Sequence, residues 1–260
     1  MTTMPQEANN YIFTGTCRAG SGVVAAVTSY LAERNCYICA LEQFDDDSTN
    51  KFFMRAVFRP QQGSPSIENI RESFNQVSDA FDMEWRIHDP KVAVKTLIMV
   101  SKYDHCLDDI LYRRRKGEFN MEVTAVVSNH VDLRAMVERE GIRFIHLPVT
   151  KDTKTQQEQR LLEIVAETGT ELVVLARYMQ ILSNELSAEL SGRCINIHHS
   201  FLPGFKGAKP YHQAYERGVK VIGATAHYVT SDLDEGPIIE QILTRVNHNY
   251  KPEHLVRVGR

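Results

Sequence analysis

Between residues 94 and 176, short apolar runs alternate with longer amphipathic stretches, and few folds accommodate that order. The runs at 94–100, 123–127, 144–148 and 172–176 have the length of strands. They read as strands covered on both faces, the habit of a parallel sheet. The stretches 105–115, 131–140 and 156–168 carry apolar residues at helical spacing; in the first, Cys106, Leu107, Ile110 and Leu111 face inward. Strands alternating with helices predict a doubly wound, mainly parallel α/β sheet.

The residues before this region read differently. A strand at 10–15 is followed by a helix at 23–34, with Val23, Val24, Val27, Tyr30 and Leu31 on one stripe. Strands at 35–44 and 52–59 flank the acidic turn Asp45, Asp46, Asp47, Ser48. A second helix is predicted at 64–81, with Ile67, Ile70, Phe74, Val77 and Phe81 inward, and a fourth strand at 83–89. This βαββαβ order predicts a small ferredoxin-like sandwich. Pro90 biases Asp89 towards extended backbone and punctuates the unit. The expected organisation is therefore one domain over 1–90 and a second over 91–260. Gly15 and Gly20 have phosphate-loop spacing, but Ser21 stands where the lysine should be. Both a tight turn capping the helix and a small-ligand loop remain open.

Composition removes several classes of function. A net charge of −3 does not supply the broad basic field of a nucleic-acid binder. The run Arg113, Arg114, Arg115, Lys116 reads as the solvated end of a helix, where cations favour the negative pole. No apolar run has the length of a membrane span, and the first residues lack the order of a signal peptide. A cytoplasmic protein is expected. The 5 cysteines make no disulfide framework; Cys36 and Cys39 lack a second pair for zinc and read as buried thiols.

The chemistry concentrates in the last third. Residues 194–203 begin as a strand in which Asn196 and His198, two apart, share a face. A second polar cluster runs from His227 to Pro237 and includes Asp234. His198, His199, His212 and His227 show no recognised metal-ligand spacing. A metal-free acyl-transfer site fits better. Breaking a formamide-like bond needs an oxyanion donor, a proton for the leaving nitrogen and an activated nucleophile. Asn196, His198 and Asp234 have the right types. The same residues could instead satisfy loop backbone groups and cap a turn, and the pattern leaves both readings open.

Longer motifs carry a resemblance. Arg177 to Ser183, the Asn-x-His run from Ile195 to Pro203, Gly223 to Val229, and the Leu-Asp-x-Gly-Pro run from Leu233 to Ile238 are similar to the folate-dependent formyltransferase family over roughly residues 93–250. The resemblance implies catalytic roles for Asn196, His198 and Asp234. It implies folate binding by Arg177, Tyr178, Met179, Gln180, Ile181 and Leu182, with His199 and His227 beside the substrate. The first half resembles an ACT domain, carried by its first turn, its first helix, and residues 43–47 followed by 51–55. That turn has Arg18 and Ala19 where the common form has a Pro-Asp pair. The ACT likeness implies an amino-acid effector near Ala19, Gly20 and Gly22.

An ACT half joined to this catalytic half, the doubled His198-His199 and the run from Pro210 to Arg217 resemble the deformylating branch of the family. The implied reaction is hydrolysis of 10-formyltetrahydrofolate to formate and tetrahydrofolate. It would supply formate for purine synthesis and balance the one-carbon folate pool. The implied partners are the folate substrate and water, without metal or cofactor, nucleic acid or membrane, in a homo-oligomer (dimer or tetramer). The alternative is transfer of the formyl group to an amine acceptor. Ser101 to Cys106, after the first strand of the second half, lacks the glycines of a phosphate cradle for a ribonucleotide acceptor. Relatives in this branch run further, so a chain ending at Arg260 is expected to be truncated at its C-terminus.

Overall fold

A computed structural model describes residues 9–205 and 209–259. The chain divides into two compact units, Met1–Val92 and Ala93–Arg260. The division falls two residues beyond the end of the first domain expected at residue 90.

The first unit has strands β1 (Tyr11–Arg18), β2 (Cys36–Asp46), β3 (Lys51–Pro60) and β4 (Glu84–His88), with helices α1 (Val23–Glu33), α2 (Ile67–Ser73) and α3 (Asn75–Phe81). Its sheet has the order β2-β3-β1-β4, every neighbouring pair antiparallel. This is the ferredoxin-like arrangement expected from the periodicity. Phe74 lies at its centre with no exposed surface, its ring 5.1 Å from Phe13, 5.0 Å from Tyr30 and 4.6 Å from Trp85.

Three expectations need correction here. The single helix over 64–81 is broken at Phe74. The Tyr30 hydroxyl donates to the Ile70 carbonyl at 2.6 Å, and that carbonyl also accepts from the Phe74 amide at 3.2 Å. A side chain entering the helical ladder is a recognised cause of such breaks. Gly15 is not part of a loop; it sits in mid-strand opposite Met54 and Trp85, so the turn shortens to the residues after Arg18. Cys36 is buried, but Cys39 is exposed. A register shift between Ile38 and Ala40 leaves Cys39 out of the regular pairing.

The second unit begins with β5 (Val94–Val100), α4 (His105–Arg115), β6 (Met121–Ser128), α5 (Arg134–Arg139), β7 (Phe144–His146), α6 (Lys154–Thr168) and β8 (Leu172–Leu175). It continues with α7 (Asn184–Glu189), β9 (Cys194–His198), α8 (Pro210–Glu216), β10 (Val221–Tyr228), β11 (Ile238–Arg245) and α9 (Pro252–Val258). The 7-stranded sheet has the order β11-β10-β9-β8-β5-β6-β7. Strands β7 to β9 in that order are parallel, while β10 and β11 join antiparallel.

The apolar run of β5 is explained by its place. Leu97 and Met99 belong to one buried cluster with Leu161, Ile164 and Leu175; Ile98 and Val100 belong to another with Leu107, Leu111 and Val137. Alternating side chains therefore meet helices on both faces. Each such aliphatic side chain contributes ~1.5–3 kcal/mol on burial. Because β6 lies on one side of β5 and β8 on the other, the chain reverses direction of winding beside β5. In open α/β sheets, ligands bind outside the carboxyl ends of the strands at this reversal. Among the described residues no helix is long and apolar enough to cross a membrane.

Candidate active site at the ends of β8, β9 and β10

Strand β9 delivers Asn196 and His198 to the same side, as residues two apart in a strand must be. Strand β10 runs beside it in the opposite direction, with His227 opposite Asn196 and Thr225 opposite His198. A bulge at Ala226/His227 re-aims the histidine at the end of the pairing. Asp234 arrives from the return between β10 and β11. Its Oδ1 lies 3.3 Å from His198 Nδ1 and 3.8 Å from His227 Nε2.

The tautomers follow from the partners. His227 Nδ1 lies 2.9 Å from the Tyr228 carbonyl, so it carries the proton and donates. Its Nε2 then accepts from Asn196 Nδ2 at 3.2 Å. His198 is different: Nε2 faces the Phe205 carbonyl at 3.0 Å and Nδ1 faces the Asp234 carboxylate. Only an imidazolium donates to both. Burial alone would lower the His198 pKa, but the Asp234 hydrogen bond, the Phe205 carbonyl and the Asp234 charge together outweigh it and raise it. His198, His227 and Asp234 are all buried.

Backbone geometry holds the carboxylate in place. Asp234 has φ of 59°, a left-handed conformation that aspartate tolerates better than most residues. Two residues on, a Cβ at Gly236 would lie 1.8 Å from the Tyr228 carbonyl oxygen, so only glycine fits. The Tyr228 amide donates to the Pro237 carbonyl at 2.9 Å and closes the return.

Asn196, His198, His227 and Asp234 line a cavity of about 330 Å³. Its other walls are residues 177–182, His199 and residues 229–233. Every residue expected in the site on sequence grounds is thus at one cavity, except Ala19, Gly20 and Gly22. Those three lie in the first unit, in a concavity with Gln43, Asp45 and Phe52. Met179 and Ile181 are more than half exposed and give the cavity an apolar flank suited to a flat ring.

His199 sits next to His198 and is set the opposite way. Burial first, then the charge of Arg177, pushes its pKa down to about 3. Arg177 donates from Nη1 to His199 Nδ1, which fixes that nitrogen as an acceptor. Among the described residues no group of three or more His, Cys, Asp or Glu is disposed to hold a metal ion.

Residues 94–259 match the Formyl transferase family. The chain belongs to that family. It is 51% identical to formyltetrahydrofolate deformylase of Corynebacterium sp. (strain P-1), over 98% of this chain and 89% of that protein. A crystal structure of formyltetrahydrofolate deformylase from Burkholderia mallei superposes with a TM-score of 0.91 at 51% identity, covering 96% of this chain and 89% of the other. Glycinamide ribonucleotide transformylase 1 from Symbiobacterium toebii is more distant, with a TM-score of 0.61 at 31% identity over 66% of this chain and 83% of that one.

Sequence reasoning passed over several residues that support this formyl transferase site. Ser101 at the end of β5 donates to Asn129 Oδ1 at 2.7 Å and accepts from the Met179 amide at 2.9 Å, pinning the 177–182 segment. Thr225 donates to the Ser200 carbonyl at 2.8 Å and accepts from the Leu202 amide at 3.2 Å. Gln241 reaches the Leu202 carbonyl at 3.0 Å. These bonds shape the loop whose Phe205 carbonyl meets His198. No local motif announces them, because their partners are 28 to 78 residues away or become neighbours only through strand pairing.

Proposed function

We propose that this chain hydrolyses 10-formyltetrahydrofolate to formate and tetrahydrofolate, the activity named in its relatives. The observation that carries the reading is the convergence of Asn196, His198 and Asp234 on one cavity. The folate's pterin lies along residues 177–182. Water attacks the formyl carbon and passes a proton to Asp234. The oxyanion is held by the second N–H of Asn196 and by His198 Nδ1. The C–N10 bond then breaks as N10 takes a proton from the site, and formate leaves. The 3.3 Å gap between His198 and Asp234 exceeds the usual ~2.7–2.9 Å of a charge-assisted bond. A contact of that length is weak enough for His198 Nδ1 to exchange the carboxylate for the oxyanion when substrate binds.

Formate release from 10-formyltetrahydrofolate with no acceptor added tests this reading. Release that requires an added amine would replace it with a transferase, and no release at all would leave a folate-binding module. On this reading the reaction takes place in the cytoplasm and supplies formate to purine synthesis, without metal or cofactor.

The first unit acts, on the same reading, as an ACT domain that binds an amino acid near Ala19, Gly20 and Gly22 and joins copies into a homo-oligomer. Its antiparallel β2-β3-β1-β4 sheet and the concavity beside the first turn support this. Calorimetric titration with the common amino acids tests the effector; heats at dilution level for all of them would remove it. Light scattering tests the assembly.

A further inference from the structure

The sheet reversal beside β5 offers two places for ligands: the cavity above β9 and β10, and the crevice above β5 and β8. The first is open. Side chains from four elements stand together beside the second. Tyr103 follows β5, Arg177 follows β8, His199 follows β9, and Tyr211 lies on α8. The Arg177 guanidinium carbon is 5.2 Å from the Tyr103 ring centre, and Arg177 donates to His199. The His199 ring is 5.6 Å from Tyr211, whose hydroxyl donates to the Gly259 carbonyl at 3.0 Å. Arg177 adopts a left-handed φ of 66°, a conformation held only where the surroundings impose it. Arg177 and His199 line the open cavity, and the two tyrosines stand behind them.

We infer that the Tyr103–Arg177–His199–Tyr211 wall determines the nucleophile, by filling the space through which an amine-bearing second substrate would reach the formyl carbon. The inference rests on the hydrolytic reading of Asn196, His198 and Asp234. Both possible reactions balance over that trio. With water, a C–O bond forms, the C–N10 bond breaks, N10 takes one of water's protons, the other is released to solvent, and formate leaves. With an amine R–NH₂, a C–N bond forms, the C–N10 bond breaks, the amine's proton goes to N10 and R–NH–CHO leaves. The oxyanion and the leaving nitrogen are the same in each. What differs is the body attached to the nucleophile: water occupies ~30 Å³ and passes the wall, whereas an acceptor with several heavy atoms collides with it.

Tyr103 is 48% exposed, so its truncation perturbs little of the core. The test compares the wild type, Tyr103→Phe and Tyr103→Gly with 10-formyltetrahydrofolate and the small primary amine glycinamide. The readout is the ratio of N-formylglycinamide to formate. Wild type and Y103F are expected to give formate at equal rates with no N-formylglycinamide above the enzyme-free background, and Y103G a ratio at least tenfold above that background. Tyr211→Ala is a second opening from the other side, with the same expected direction. Two folded variants that still hydrolyse but make no N-formylglycinamide would overturn the inference, as would formylation of glycinamide by the wild type. Wild type measured without amine separates the two levels: no formate there removes the hydrolytic reading and this inference with it. Normal formate there with an unmoved ratio removes the inference alone.

Discussion

His198 and His199 are neighbours in the chain, and the structure shifts their pKa values in opposite directions. His198 faces a carboxylate and a carbonyl, both acceptors, and its pKa is raised. His199 is half-buried against the guanidinium of Arg177, and its pKa falls to about 3. Strand geometry sends successive side chains to different surroundings. The partners then decide whether an imidazole is a donor on both nitrogens or a standing acceptor on one. One strand end thus carries a charged group for the reaction and a neutral one for the wall beside it.

The largest expected effect comes from removing what makes the pair different. Asp234→Asn should lower kcat by ~10²–10⁴, the range for a lost acid–base group. It should also lower the His198 pKa, so that the alkaline limb of the pH–rate profile moves to lower pH. Full turnover in D234N would end the role given to Asp234. Asn196→Ala follows, with a loss of ~10²–10³ in kcat and little change in KM, the pattern of a donor used in the transition state. A rise in KM alone would make Asn196 a substrate-binding group instead.

The histidines also predict opposite slopes of stability against pH. For His199 the unfolded form binds the proton more readily, so stability is present above its ordinary value of ~6.5 and is lost as pH falls from there towards about 3. For His198 the folded form holds the proton more tightly. Its contribution is present below ~6.5 and is lost as pH rises through the folded value. Thermal melts across pH should show His199→Gln flattening the acid side and leaving the alkaline side alone. A variant with the wild-type acid slope would mean that the Arg177 contact does not hold His199 neutral.

Smaller effects test the supports. Ser101→Ala removes one hydrogen bond from the Met179 amide, worth ~1 kcal/mol, and should raise KM about fivefold with kcat nearly constant. Equal loss in kcat would tie Ser101 to the chemistry. The smallest is expected from chelation: dialysis against EDTA should leave turnover unchanged. A loss restored by a divalent cation would overturn the metal-free mechanism.

Much of the site was legible before its geometry. Asn196 and His198 were readable as a pair because strand periodicity needs only local sequence, and β9 lies as expected. Asp234 joined them through a motif match, since nothing local tells a strand end which return loop it will meet. Met179 and Ile181 came with the resemblance of residues 177–182 to the family's folate-binding segment, whereas Ser101, Thr225 and Gln241 were not legible. A lone serine, threonine or glutamine has no periodic signature, and its value lies in a partner brought near by pairing of distant strands. The broken helix at Phe74 was hidden for the same reason: Tyr30, which enters its ladder, is 40 residues away.

By itself the sequence determined the two α/β units, the strand end bearing Asn196 and His198, and the residue types for formyl chemistry. The units and the strand end follow from periodicity over short stretches; the formyl reading came through the resemblance of longer motifs to a family. The antiparallel edge of β10 and β11, the exposure of Cys39, the tautomer of His227 and the opposite pKa shifts of His198 and His199 were decided by tertiary structure alone. Register and electrostatics depend on which side chains meet across strands, and that is set when the sheet closes.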